Sequence, residues 1–166
     1  KNVGIKNANI TGQKYIGGVC GSNTGTIENC SNAGAVSGIY GVGGVCGSNK
    51  GTIKNCSNAG AVSGNNGVGG VCGDNKGTIE NCSNAGTVLG SDSSWGVGGV
   101  CGDNYTGAIV NCSNAGDVSG KNSVGGVCGY NNSGDSTKAT IKNCSNAGAV
   151  SGKDSVGGVC GCNGIG

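Results

Sequence analysis

The tetrapeptide Gly-Gly-Val-Cys occurs six times, beginning at Gly17, Gly43, Gly69, Gly98, Gly125 and Gly157, at intervals of 26, 26, 29, 27 and 32 residues. A second block, Asn-Cys-Ser-Asn-Ala-Gly, starts at Asn29, Asn55, Asn81, Asn111 and Asn143. Self-similarity at a fixed period of this size marks a repeat architecture, in which each unit is one supersecondary element. The chain of 166 residues therefore reads as a single repeat domain. It has a lead-in at 1–16, full units at 17–42, 43–68, 69–97, 98–124 and 125–156, and a truncated unit at 157–166.

Each unit carries four β-branched apolar positions, such as Val42, Val45, Ile53 and Val62, in short runs punctuated by Gly, Asn and Ser. Helix is excluded, because Gly costs roughly 1 kcal/mol per interior position relative to Ala and 40 residues are Gly. Short strands joined by tight turns remain. One unit cannot bury four aliphatic groups by itself, whereas units stacked in register line them into continuous columns. The expected fold is all-β, a parallel β-solenoid (β-helix) of about six rungs with a repeat of roughly 26 residues. With no Phe and no Met, the interior must be narrow and built from Val, Ile, Ala and Cys.

Extra residues fall at Ser91–Trp95 and at Asn131–Thr137, and both stretches are rich in Ser, Asp and Asn. They read as loops bulging from the stack, with Trp95 on the first of them. Ile53, Cys56, Ala59 and Val62 are spaced by three, so they cannot share one face of a flat strand, and bends at Asn55, Asn58 or Gly60 are required. The position after the Ile column reads Glu28, Lys54, Glu80, Val110 and Lys142, so a parallel stack would place charges of alternating sign above one another.

Several function classes are disfavoured. A formal charge of +2 with no dense run of Lys gives no phosphate-tracking stripe, so no nucleic-acid partner is expected. No apolar stretch approaches membrane-spanning length, so direct membrane insertion is not expected either. With no His, the common Ser and Cys nucleophile arrangements lack their base. The eight acids are scattered along the chain, and no catalytic residue, cofactor or metal ligand set is assigned. The Gly-rich elements match neither a dinucleotide fingerprint nor a P-loop, and they are expected to turn corners. The five Asn-Cys-Ser triplets match a glycosylation sequon, but the Asn more plausibly caps a turn or stacks as a ladder. Because the pattern runs into both ends, the chain is expected to be a piece of something longer.

The pattern Gly-Gly-Val-Cys-Gly-x-Asn, then Gly-Thr-Ile-x-Asn, then Gly-x-Val-Ser-Gly closely resembles the GLUG-motif repeats of bacterial surface proteins, over essentially the whole chain. The lead-in Asn7-Ala8-Asn9-Ile10-Thr11-Gly12 resembles the approach to such repeats. The usual motif has an aliphatic residue where Cys20 and Cys46 stand and commonly Ser where Cys30 and Cys56 stand, so this is a Cys-bearing variety. The resemblance implies an extracellular or cell-surface bacterial module, namely a stalk, an adhesin or a protease-associated region. It carries over no catalytic residue.

The cysteines form two series, Cys20, Cys46, Cys72, Cys101, Cys128 and Cys160, then Cys30, Cys56, Cys82, Cys112 and Cys144, with Cys162 apart. Abundant Cys without His or CxxC pairs fits an oxidising compartment. One disulfide per rung is expected: Cys20–Cys30, Cys46–Cys56, Cys72–Cys82, Cys101–Cys112 and Cys128–Cys144. Each would be worth roughly 3 kcal/mol if unstrained. Pairing shifted by one rung and a column of buried free thiols are the alternatives, and metal binding is a distant third.

The functional expectation is a structural or adhesive extracellular module, a rigid stalk or fibre-forming segment and not an enzyme. Its partner would be a second copy stacked end to end, or a glycan or protein of a cell surface. The alternative is a ligand-binding solenoid. Its glycan patch would lie around Trp95, Tyr105 and Tyr130, or the interrupted column of Thr26, Thr52, Thr78 and Thr140 would face ice.

Overall fold

The computed structural model describes residues 1–133 and 138–165. Each turn of chain passes through four sheets in short strands. In one turn these are Cys46–Asn49, Thr52–Lys54, Ser57–Asn58 and Val62–Gly69. The strands pair in parallel with their counterparts one repeat later, in register apart from one shift between Gly64 and Asn66. Thr52, Ile53 and Lys54 lie beside Thr78, Ile79 and Glu80, and Cys72 lies beside both Cys46 and Cys101. The result is a parallel β-solenoid of four sheets, with no helix among the described residues. Three sheets hold six, five and six strands, and the fourth holds ten because several turns contribute two strands to it.

Two kinds of corner produce the winding. Asn29, Asn55, Asn81, Asn111 and Asn143 adopt φ between 52° and 54°, the left-handed region that Asn enters more readily than most residues because its short amide bonds locally. This corner turns the chain between the Thr-Ile strand and the Ser-Asn strand. The second corner precedes the inward Val42 column. It is occupied by Tyr15, Gly41, Gly67, Gly96, Ser123 and Ser155, all with φ between 52° and 68°.

The bend at Asn55 resolves the spacing by three, although not as the sequence suggests. From Cys56 onward the chain alternates strictly: Cys56, Asn58, Gly60 and Val62 are buried, while Ser57, Ala59 and Ala61 are exposed. Ala59 therefore faces solvent, and Asn58 takes the inward place. Strand alternation survives because a polar residue and a glycine stand where aliphatic residues are normally sought.

Asn58 is tolerated inside because every polar atom of its amide is used. Its Nδ2 donates to Gly60 O at 2.8 Å and to Asn84 Oδ1 at 2.8 Å. Its Oδ1 accepts from Gly60 N at 3.3 Å and from Asn32 Nδ2 at 2.8 Å. The same bonds recur from Asn32 through Asn146, so the turns are joined by an amide ladder down the interior. A second ladder runs from Asn23 through Asn49, Asn75, Asn104 and Asn131 to Asn163, with each Nδ2 to Oδ1 step between 2.7 and 2.9 Å. A buried amide that satisfies all its donors and acceptors escapes the desolvation penalty that an orphan would carry.

In the first five Gly-Gly pairs the second glycine lies against the first of these ladders. A Cβ at Gly70 would overlap Asn84 Cγ and Gly99 O, so the absence of a side chain is a packing requirement. The apolar interior falls into two clusters. One holds the Val45, Ile53 and both Cys columns, and the other holds the Val36 and Val42 columns.

The first insertion differs from its expectation. Gly64 pairs with Gly90 and Asn66 with Trp95, so the additional residues lie between Gly90 and Trp95 while Trp95 itself occupies a regular ladder position. The bulge is anchored by Ser94, which is fully buried and whose Oγ accepts from Lys121 N at 2.8 Å. Of the second insertion, residues 134–137 lie outside the described residues. The charge column aligns as expected in its first two turns, where Lys54 Nζ lies 2.9 Å from Glu28 Oε1. Lys1 Nζ lies 2.8 Å from the other oxygen, and the two lysines hold the Glu28 carboxyl down to about 2.

Candidate functional site

The cysteines are interior residues. Cys20, Cys46, Cys72, Cys101, Cys128 and Cys160 stack in register along one sheet. Cys30, Cys56, Cys82, Cys112 and Cys144 stack beyond the Asn corner. Here the backbone N–H of each residue from Cys30 to Cys112 donates to the Sγ of the next at 3.4–3.5 Å. The thiols in turn donate to main-chain carbonyls, as from Cys56 Sγ to Lys54 O at 3.1 Å. The structure joins none of the twelve in a disulfide, the expected pairs such as Cys46–Cys56 included.

The two members of a rung, for example Cys46 and Cys56, share one apolar cluster, but thiol meets thiol along the columns. Cys46 meets Cys72, and Cys56 meets Cys82 and Cys30. Burial, reinforced by Cys128 and Cys72 above and below, pushes the Cys101 thiol well above its ordinary value. A thiol so placed is a poor nucleophile and behaves as a small core side chain. Among the described residues no group of three or more His, Cys, Asp or Glu is arranged to hold a metal ion.

A different site emerges at the second corner, between the ten-stranded sheet and the first cysteine sheet. One exposed ladder reads Lys14, Tyr40, Asn66, Trp95, Asn122 and Asp154. Across the corner, a second reads Ser22, Ser48, Asp74, Asp103, Tyr130 and Cys162. Between them runs the positive-φ series that contains Tyr15 and the glycines 41, 67 and 96. Tyr105, two residues beyond Asp103, donates its hydroxyl to Asp103 Oδ2 at 3.4 Å. All five aromatic residues of the chain, one Trp and four Tyr, thus belong to this one corner.

The glycines explain why carboxyls fit there. A Cβ at Gly96 would overlap Asp103 Oδ1, and one at Gly67 would lie 2.5 Å from Asp74 Oδ1 and 3.2 Å from Asp103 Oδ2. The two acids occupy the volume that side chains at the corner would have filled. They sit on neighbouring strands in register, about one strand spacing of 4.8 Å apart. Burial, then the charge of Asp74, pushes the Asp103 carboxyl up to about 8, and burial raises Asp74 to about 6. Burial also raises the Tyr105 hydroxyl. Asp103 Oδ1 is buried and has no hydrogen-bond partner.

A groove of about 390 Å³ opens beside these acids, walled by Tyr15, Tyr40 and Tyr105 with Lys14 and Asn66 at its edge. Two lysines face the rings: Lys14 Nζ lies 4.8 Å from the centre of Tyr15, and Lys76 Nζ lies 5.4 Å from that of Tyr105. Of the three residues expected to form a patch, Tyr105 lines this groove, while Trp95 and Tyr130 flank it on the ladders. Sequence reasoning passed over Tyr15, Tyr40, Asp74 and Asp103. A signal was available, because Ser22, Ser48, Asp74, Asp103 and Tyr130 all stand two residues after the first-column Cys.

The family model of the GLUG motif matches residues 12–37, a stretch whose strands pair in register with the turns that follow, so the resemblance to GLUG repeats is met. No curated protein matches the chain. Among solved structures, a protein described as a putative immunoglobulin A1 protease from Bacteroides ovatus is similar, with a TM-score of 0.76 and 25% identity over 94% of this chain. The chain spans about half, 53%, of the length of that protein.

Proposed function

We propose that the chain is a rigid extracellular spacer of a bacterial surface or secreted protein, holding neighbouring parts of that protein apart and out from the cell. A GLUG-type β-solenoid is consistent with an extracellular structural module. The observation that carries the reading is the continuity of the interior: two asparagine ladders cross every turn, and the backbone ladders follow them in register apart from the one bulge between Gly64 and Asn66. Such a stack transmits load along its axis and resists bending, because any hinge would leave buried amides unsatisfied. The solved protein of similar fold, described as a putative immunoglobulin A1 protease, is about twice as long, which supports the reading of the solenoid as one part of a longer protein.

Deletion of one complete unit, residues 43–68, tests the spacer reading. The shortened protein should remain folded, with its long dimension in solution scattering reduced by about 4.8 Å, one strand spacing. Loss of folding, or an unchanged length, would overturn it. Protease accessibility of the chain on intact producing cells tests the location, and protection from added protease would contradict it.

A further inference from the structure

The structure assigns a carbohydrate-binding role to the corner groove lined by Tyr40, Asp74 and Asp103 and flanked by Trp95, with a neutral oligosaccharide as the ligand. This assignment stands apart from the spacer reading and can fail without it.

Three observations carry it. First, a chain with only five aromatic residues places all of them at one corner. Tyr40 and Trp95 stand on the same ladder, two turns apart, which is about 10 Å, and they are 50% and 52% exposed. Exposed aromatic faces at that separation, with the Asn66 amide between them, suit the apolar faces and hydroxyl edges of successive sugar rings. Second, Asp103 is only 6% exposed and lines the groove, yet its Oδ1 has no partner. A buried unsatisfied oxygen is costly, and a ligand hydroxyl would relieve that cost once the Gly96 contact that covers this oxygen opens. Third, both lysines beside the groove are already engaged. Lys14 and Lys76 both act on Asp74, and their ammonium groups already occupy the faces of Tyr15 and Tyr105. The aromatic faces left open are those of Tyr40 and Trp95, and neither lysine is free of a ring. A volume near 390 Å³ admits a small ligand or one or two rings of a longer chain.

The test uses the whole chain and its own fluorophore, since Trp95 is the only Trp. Neutral tetrasaccharides of glucose, mannose, galactose and xylose in different linkages are titrated to about 10 mM, a range that captures even weak sites. Oligomers of glucosamine and of a hexuronic acid are run alongside them. At least one neutral sugar should shift Trp95 emission saturably. Its affinity should fall about tenfold or more in Tyr40→Ala, at an exposed side chain, and in Asp103→Asn, with circular dichroism unchanged. Thr52→Ala, on another sheet, should bind as the parent does. No response to any neutral sugar overturns the proposal, as does binding confined to the charged oligomers. Affinity unaltered by both groove substitutions would equally move the site elsewhere.

Discussion

The interior and the second corner of this solenoid are built on the same rungs but obey opposite rules. Along the interior, each column repeats nearly the same residue: Asn32, Asn58, Asn84, Asn114 and Asn146, or Ile27, Ile53, Ile79, Ile109 and Ile141. At the corner, a single column runs Ser22, Ser48, Asp74, Asp103, Tyr130 and Cys162. Stacking explains the uniform columns, because an amide ladder needs an amide at every step and a close-packed column needs equal volumes. Nothing in stacking requires a column to change, so a position whose side chain changes from turn to turn is released from the architecture and available for recognition.

The contrast is most severely tested inside. Asn84→Ala removes the bonds to Gly86 O and Asn114 Oδ1 and strands the Asn58 Nδ2 that donates to it. With buried partners at about 1–3 kcal/mol each, the loss of stability in urea unfolding should reach roughly 3 kcal/mol or more. A change below about 0.5 kcal/mol would mean that the ladder is not what joins the turns.

The corner should reveal itself through pH. The folded Asp103 carboxyl stands near 8 and Asp74 near 6, both above the ordinary 3.8. Between those limits the folded state holds protons that the unfolded state has released, so stability is fully present below about pH 4 and declines as pH rises through 6 towards 8. The slope is at most about 1.4 kcal/mol per pH unit for each group. Asp103→Asn should flatten the decline above pH 6, and a profile that rises with pH over this window would contradict the buried dyad.

A smaller effect distinguishes the thiols. Substituting Cys82 by Ala leaves a small apolar side chain in an apolar column and should cost about 1 kcal/mol, less than the loss of the neighbouring amide. Mild oxidation followed by peptide mapping without reduction should link column neighbours such as Cys56 and Cys82. Predominant Cys46–Cys56 products would mean that the two columns approach each other more closely than the stacked geometry holds them. The smallest effect belongs to the surface. Lys54→Ala removes an exposed pair with Glu28, and its slight cost should vanish in about 1 M salt, where charges are screened within a few ångströms.

The solenoid, its period and the alignment of the charge column were legible because a parallel in-register stack is the direct physical consequence of repeating units. What sequence reasoning misread follows from one assumption, that inward positions are apolar. Asn58 and Gly60 break that assumption, so the spacing of Cys56, Ala59 and Val62 looked like a triplet pattern when it is a two-residue alternation entered through a left-handed Asn55. Trp95 reads as part of the bulge when the insertion is taken to run up to the next Gly-Gly, whereas the ladder resumes at Trp95 itself. The acids looked scattered at 74 and 103 because only the fold divides that separation by one turn. Reading the positions that vary across the repeat, as well as those that persist, would have shown the corner.

The most direct test of the in-register stack is a methyl NOE experiment on the chain with its isoleucine δ1 methyls labelled. Ile27, Ile53, Ile79, Ile109 and Ile141 are each one turn apart and aligned. The account predicts an unbroken chain of cross-peaks joining each to the next. Absence of the Ile53–Ile79 and Ile79–Ile109 peaks in a folded sample, or peaks that skip a turn, would contradict it.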